Sequence, residues 1–251
     1  MREDADGPGF AETLRAVRDV RGWLTDDQAR LLYERAAALR SGARVVEIGS
    51  YHGRSTIMLA KAAPEAEIVA VDPYPGEDEE SWRLHEGTNV GGRDLERFES
   101  NLRDAGEEDR VRHVRDYSLS ALREYVGEVD LLYIDGAHDL RSALGDIRGW
   151  GALVREGGTM FVHDSFSSVG VTVAQVVALF FGRDFRYVGR SRSLAEYRRD
   201  TLSAPQRLRN AARQSAQLPW FVRNVAVKLA LVVKARPVAR LLGHSDDVYP
   251  Y

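Results

Sequence analysis

Three nearly unbroken apolar runs constrain this chain more than any other feature: Val45-Val46-Glu47-Ile48, Val129–Ile134 and Thr159-Met160-Phe161-Val162, stopping at Gly49, at Asp135 and at the pair His163-Asp164. Runs this continuous are the mark of strands buried on both faces, as in a parallel sheet, rather than the alternation of a half-exposed one. Parallel neighbours need crossover connections, and the intervening segments from Arg54, at 94–105, at 119–126 and at 140–154 carry helical spacing. The expected fold is therefore α/β, a Rossmann-like, doubly wound, mostly parallel seven-stranded sheet. Its strands fall at 44–48, 67–71, 111–114, 129–134, 159–162, 185–188 and 193–197, the last two as a hairpin. Helical spacing at 14–21 and 26–39 predicts an N-terminal helical cover, with Thr25-Asp26-Asp27-Gln28 as a helix start. A further helix is expected at 169–181.

The formal charge of −3 hides an uneven distribution. Residues 201–251 hold eight Arg or Lys and two Asp, so the tail is strongly basic while the rest of the chain is acidic. Three regions follow: a cover at 1–40, an α/β domain at 41–200, and a basic, amphipathic helical tail at 201–251. The tail suits packing against its own or a second subunit, giving a homo-oligomer, expected to be a dimer, or peripheral membrane contact. Nucleic acid is not an expected partner, because the body is acidic and no recognition motif is present. The chain has no cysteine, which removes disulfides, thiolate zinc sites and cysteine nucleophiles and leaves any metal to oxygen or imidazole ligands. With an acidic N-terminus and no apolar run long enough to span a bilayer, the expected location is cytoplasmic, with membrane association through the tail as the variant.

Two strand ends carry the candidate chemistry. Ile134-Asp135-Gly136-Ala137-His138 follows one strand and Val162-His163-Asp164 ends another. Parallel neighbours would bring Asp135, His163 and Asp164 to one sheet edge, where ligands bind in open α/β sheets. The plain alternative is a turn at Asp135-Gly136 and a half-buried His163 bonded to backbone. The first strand runs into Gly49-Ser50-Tyr51-His52-Gly53-Arg54-Ser55, a glycine loop opening a helix. It lacks the third glycine of a dinucleotide fingerprint and has no phosphate-cradling Gly-Lys-Ser/Thr, which disfavours NAD and ATP. The segment 73–92, rich in Pro, Gly and acid, has the length of a lid, with Tyr74, Glu77, Glu79 and Trp82 suited to a sugar face. His52 would line the loop or face solvent, while His85, His113 and His244 show no partner pattern.

The pattern Glu47-x-Gly49-x-x-x-Gly53 followed by Val71-Asp72 resembles the class I S-adenosylmethionine-dependent methyltransferases. The resemblance implies that Glu47, Gly49, Ser50, Gly53 and Ser55 shape the cofactor loop, that Asp72 accepts the ribose hydroxyls, and that Asp116, Tyr117 and Ser118 lie by the adenine. Asp116 and Ser118 would equally serve as helix caps. A sharper resemblance, over roughly residues 40–165 and carried by Ile134 to His138 and Gly157 to Asp164, is to magnesium-dependent O-methyltransferases acting on sugars. It implies Mg2+, with Mn2+ as the alternative, held by Asp135 and Asp164 with His163 as a third ligand. Asp135 would also border the cofactor, and His138 would be the general base. His163 departs from that family, where an acid is common. The implied acceptor is a hydroxyl of a sugar, oligosaccharide or glycosylated natural product. Alternatives are a catechol-type enzyme for small phenols, a non-catalytic cofactor-binding assembly partner, and an NAD-linked sugar enzyme.

Overall fold

The computed structural model describes residues 9–74 and 91–244. Its strands are β1 (Arg44–Ile48), β2 (Glu67–Val71), β3 (Val111–Val114), β4 (Val129–Ile134), β5 (Val154–Val162), β6 (Phe185–Ser191) and β7 (Leu194–Arg199). They form one seven-stranded sheet in the order β3-β2-β1-β4-β5-β7-β6. β2, β1, β3 and β4 are linked by parallel pairs, whereas β7 runs antiparallel to both β5 and β6. The sheet is thus mixed: the expected hairpin is present, and its second strand, β7, is the one that pairs with β5. By contacts the chain divides into two compact units, Met1–Gly136 and Ala137–Tyr251.

In the first unit the central strands are sealed. Every residue of β4 is buried, and so are the last four of β1. That accounts for their unbroken apolar sequence, since neither face meets water. Helix α2 (Asp26–Ala37) begins where expected, at a capping box in which Thr25 accepts from the Gln28 amide and Gln28 accepts from the Thr25 amide. Helix α1 differs: it covers Phe10–Ala16, not 14–21. The carbonyls of Arg18 and Val20 turn instead to the Arg54 guanidinium, which stands on helix α3 (Arg54–Ala62) and ties the chain at 18–24 to the start of that helix. Helix α4 (Gly91–Ala105) and helix α5 (Ser118–Glu124) complete the unit.

In the second unit helix α6 (Leu140–Leu153) is capped by Asp139, which accepts from the amides of Arg141 and Ser142. Helix α7 (Val169–Gln175) passes into a wider π turn over Val176–Phe180, where one continuous helix was expected. The physical reason lies in the tail. The Leu179 carbonyl accepts from the side-chain amides of Asn210 and Gln214, so side chains replace part of the regular backbone ladder. Both amides stand on helix α8 (Ala204–Ser215), where Asn210 also accepts from the Tyr187 amide and donates to the Phe185 carbonyl. Helix α9 (Leu218–Val232) and helix α10 (Arg236–Leu241) follow, and Val227, Ala230 and Ala239 form a small core between them.

Candidate functional site

The first unit presents a glycine-loop cleft. The Gly49 amide still bonds to the Val71 carbonyl at 2.9 Å, but its φ of 88° turns the chain away from β1. A side chain there would meet the Asp135 carbonyl oxygen at 2.2 Å, so only glycine lets the two strand ends lie this close. Gly53, also left-handed, opens α3. Asp72, from the end of β2, holds the loop from beneath: one carboxylate oxygen accepts from the Tyr51 amide at 3.0 Å and the other from the Tyr74 amide at 3.1 Å. Burial raises the Asp72 carboxyl above its ordinary value, and these amides partly offset it. The cleft is lined by Gly49, Ser50, Tyr51, Ser55 and Asp135 together with Arg21 to Leu24.

Glu47 is placed differently from expectation. Its side chain is fully buried and accepts hydrogen bonds from the hydroxyls of Ser55 and Thr56, eight and nine residues on. It therefore fastens β1 to α3 and does not line the cleft. Burial pushes its carboxyl up to about 8, against the hydroxyl bonds that favour the ionised form. Because the folded state then binds the proton more tightly than the unfolded chain, whose value is 4.5, stability should be lost as pH rises from about 4.5 through about 8. Denaturant titrations across that window should show the decline in the native chain and a flatter profile in Glu47→Gln. A native profile that rises instead would contradict the buried acid.

His52 neither lines the cleft nor faces solvent. Its ring stacks on Tyr51 at 3.9 Å, and Nε2 lies 2.8 Å from Asp94 on α4. Asp116 accepts from the Tyr117 amide, and α5 has no side-chain cap, so neither Asp116 nor Ser118 takes the capping role. Tyr117 is exposed and Ser118 partly so, with Asp116 partly buried between strand and helix. His113 packs between Tyr74 and Phe98, and burial lowers its basicity. Tyr74 is buried, with its hydroxyl on Ser50 and the Tyr51 carbonyl, which makes it a support of the loop. The rest of the lid segment, with Glu77, Glu79, Trp82 and His85, lies outside the described residues.

The second unit holds the acid–imidazole pair. Asp164 follows β5 with φ 54°, and Phe166 has φ 56°, two left-handed residues that turn the chain sharply before α7. Asp164 Oδ2 lies 2.7 Å from His138 Nε2 and 3.4 Å from His163 Nδ1. Burial alone would raise the Asp164 carboxyl, but the hydrogen bonds and charge of these two imidazoles outweigh it and hold the group well below the carboxylate range. His138 is half exposed and His163 is buried. The Phe166 carbonyl accepts from Asn224 and the Ser167 carbonyl from Lys228, both on α9, at 3.1 Å each. Asp135, three residues before His138 in the chain, accepts from the Tyr133 hydroxyl at 2.9 Å. Within the second unit His138 and His163 thus share the Asp164 carboxylate, while Asp135 stands at the end of β4 in the first unit.

Residues 46–165 match the family model described as a methyltransferase domain. Among solved structures the chain is similar to a methyltransferase from Podospora anserina bound to SAH, at 16% identity and a TM-score of 0.57 over 78% of this chain and 91% of that one. It is similar to cofactor-bound Rv0187 from MTB at 23% identity and a TM-score of 0.54, over 78% and 90%. An O-methyltransferase from Bacillus cereus in complex with SAH gives 15% identity and a TM-score of 0.50, over 77% and 90%. This is a Rossmann-like methyltransferase fold.

Within this methyltransferase fold, two groups of residues had no signal in the sequence. Trp23 and Tyr51 face each other at the cleft with ring centroids 5.3 Å apart, yet Trp23 belongs to an irregular segment that no motif marks. Asn224 and Lys228 read as interior positions of a tail helix. Their four-residue spacing puts them on one helix face, but nothing in the sequence names what that face meets.

Proposed function

We propose that the protein transfers a methyl group from S-adenosylmethionine to a hydroxyl of a sugar or glycosylated acceptor. The single observation that supports this best is the pairing of His138 with Asp164 at 2.7 Å, on a fold shared with methyltransferases. A half-exposed imidazole held by a buried carboxylate is a serviceable general base, because the carboxylate fixes the ring and stabilises the charge it acquires. His138 would accept the proton of the acceptor hydroxyl as that oxygen takes the methyl group. Asp72, whose carboxylate has lone pairs beyond the two amides it already serves, would accept from the ribose hydroxyls of the donor. Gly49, Ser50 and Asp135 would border the donor, with Trp23 and Tyr51 offering aromatic faces to donor or acceptor.

The residues present fit a divalent cation. Asp135 and Asp164 offer carboxylate oxygens, the donor type that suits Mg2+ with its waters or Mn2+, which leaves the His138 imidazole to the base role. Bound there, the cation would supply charge stabilisation for a developing alkoxide. The His138–Asp164 contact also supports a second reading, in which the dyad works as a base without metal. A methyl-transfer assay on chelator-stripped protein separates them: activity should fall sharply and return on adding Mg2+, whereas full activity after stripping would reject the metal role. Running sugars, glycosides and catechols as acceptors in the same assay tests the acceptor class, and preference for catechols would overturn the sugar reading.

A further inference from the structure

Helix α9 is apolar on both sides. Its inner face is fixed: Val227 and Ala230 are buried, Asn224 and Lys228 bond to the carbonyls of Phe166 and Ser167, and Arg190 sits 3.9 Å over the Trp220 ring. The helix is therefore not free to roll its other side inward. At about 100° per residue, Val222, Leu229 and Val233 fall in a stripe about 40° wide on the opposite side, and Val225 and Val232 flank it. Val222, Leu229, Val232 and Val233 are between 61% and 78% exposed. A stripe of large aliphatics in water is the mark of a contact surface.

The charges around the stripe decide what it meets. Lys234, Arg236 and Arg240 follow at its C-terminal end, all exposed, and residues 201–244 contain eight Arg or Lys and no carboxylate side chain. A second copy would bring this cationic rim against itself, with like charges opposed. An anionic lipid surface answers both features, taking the aliphatic stripe at the acyl boundary and the cations at the headgroups. No helix among the described residues is long and apolar enough to cross a membrane, so the contact is one of lying on the surface. We propose that the outer face of α9, with the basic start of α10, docks the protein on anionic membranes.

Co-sedimentation of the full chain with vesicles tests this independently of any methyl transfer. Vesicles of phosphatidylcholine and phosphatidylglycerol should carry the protein down at low salt, and phosphatidylcholine alone should not. Val222→Ser with Leu229→Ser and Val233→Ser should lower the partition by about tenfold or more. Reversing Lys234, Arg236 and Arg240 to Glu should lower it on the order of 100-fold or more, at about one kcal/mol per cation. All six side chains are partly or fully exposed, and unchanged melting would show that the variants fold. No sedimentation of the native chain with either vesicle would overturn the proposal. So would binding that ignores both sets of substitutions, or a dimer in solution that the serine substitutions dissociate.

Discussion

His138→Ala is expected to lower methyl transfer by about 10²- to 10⁴-fold, the usual contribution of a positioned general base, while leaving donor binding unchanged. The expectation rests on geometry. The imidazole is half exposed and so open to an acceptor, whereas its partner Asp164 is buried and cannot turn to solvent. Asp164→Asn should act in the same direction, because it removes the charge that holds the ring and stabilises the protonated imidazole. If the pair works as a unit, the double variant should be little worse than the more damaged single one. Calorimetry with S-adenosylhomocysteine provides the control, since the cleft residues Gly49, Ser50 and Tyr51 stand on a different loop. Wild-type turnover in His138→Ala would remove the proposed base. A loss of turnover matched by loss of donor binding would instead make His138 part of the donor site.

The central strands were legible because burial on both faces leaves no room for polar alternation, as the sealed β4 shows. The paired acids at strand ends were legible for a related reason: a carboxylate at or one residue past the end of an apolar run marks where the strand leaves the sheet. Which neighbouring side chain takes part was not legible. His163 and Asp164 are adjacent, and the left-handed turn at Asp164, which fixes their directions, has no glycine to announce it. Glu47 misleads for a similar reason, since its place in the motif says nothing of its facing Ser55 and Thr56, whose hydroxyls are what draw it inward. The end of α1 was out of reach because the Arg54 guanidinium, 34 residues further along the chain, takes the Val20 carbonyl that a longer helix would have used. The tail's composition showed that it was basic and apolar. Only the bonds from Asn224 and Lys228 show which face is held.

Gly49→Ala should be among the most damaging single-methyl additions to this chain. The new Cβ would stand 2.2 Å from the Asp135 carbonyl oxygen, 2.6 Å from its carbon and 3.0 Å from the Gly136 Cα. These are backbone atoms at the end of a fully buried strand, so no flexible side chain can swing aside. The φ of 88° adds about 1–2 kcal/mol of left-handed strain for any residue with a Cβ. Together with the overlap, a total loss of about 4 kcal/mol or more is expected, at the severe end for one substitution. Gly53→Ala makes the informative comparison: it carries the same backbone strain, but its nearest obstacle is the Phe98 ring edge at 3.1 Å, which can shift. Its loss should stay near the strain alone, about 1–2 kcal/mol. Denaturant unfolding would read both, and calorimetry would show whether Gly49→Ala also loses the donor, as it must if the loop and the end of β4 border the same ligand. Equal stability of the two variants would mean that β1 and β4 do not end in the close approach described.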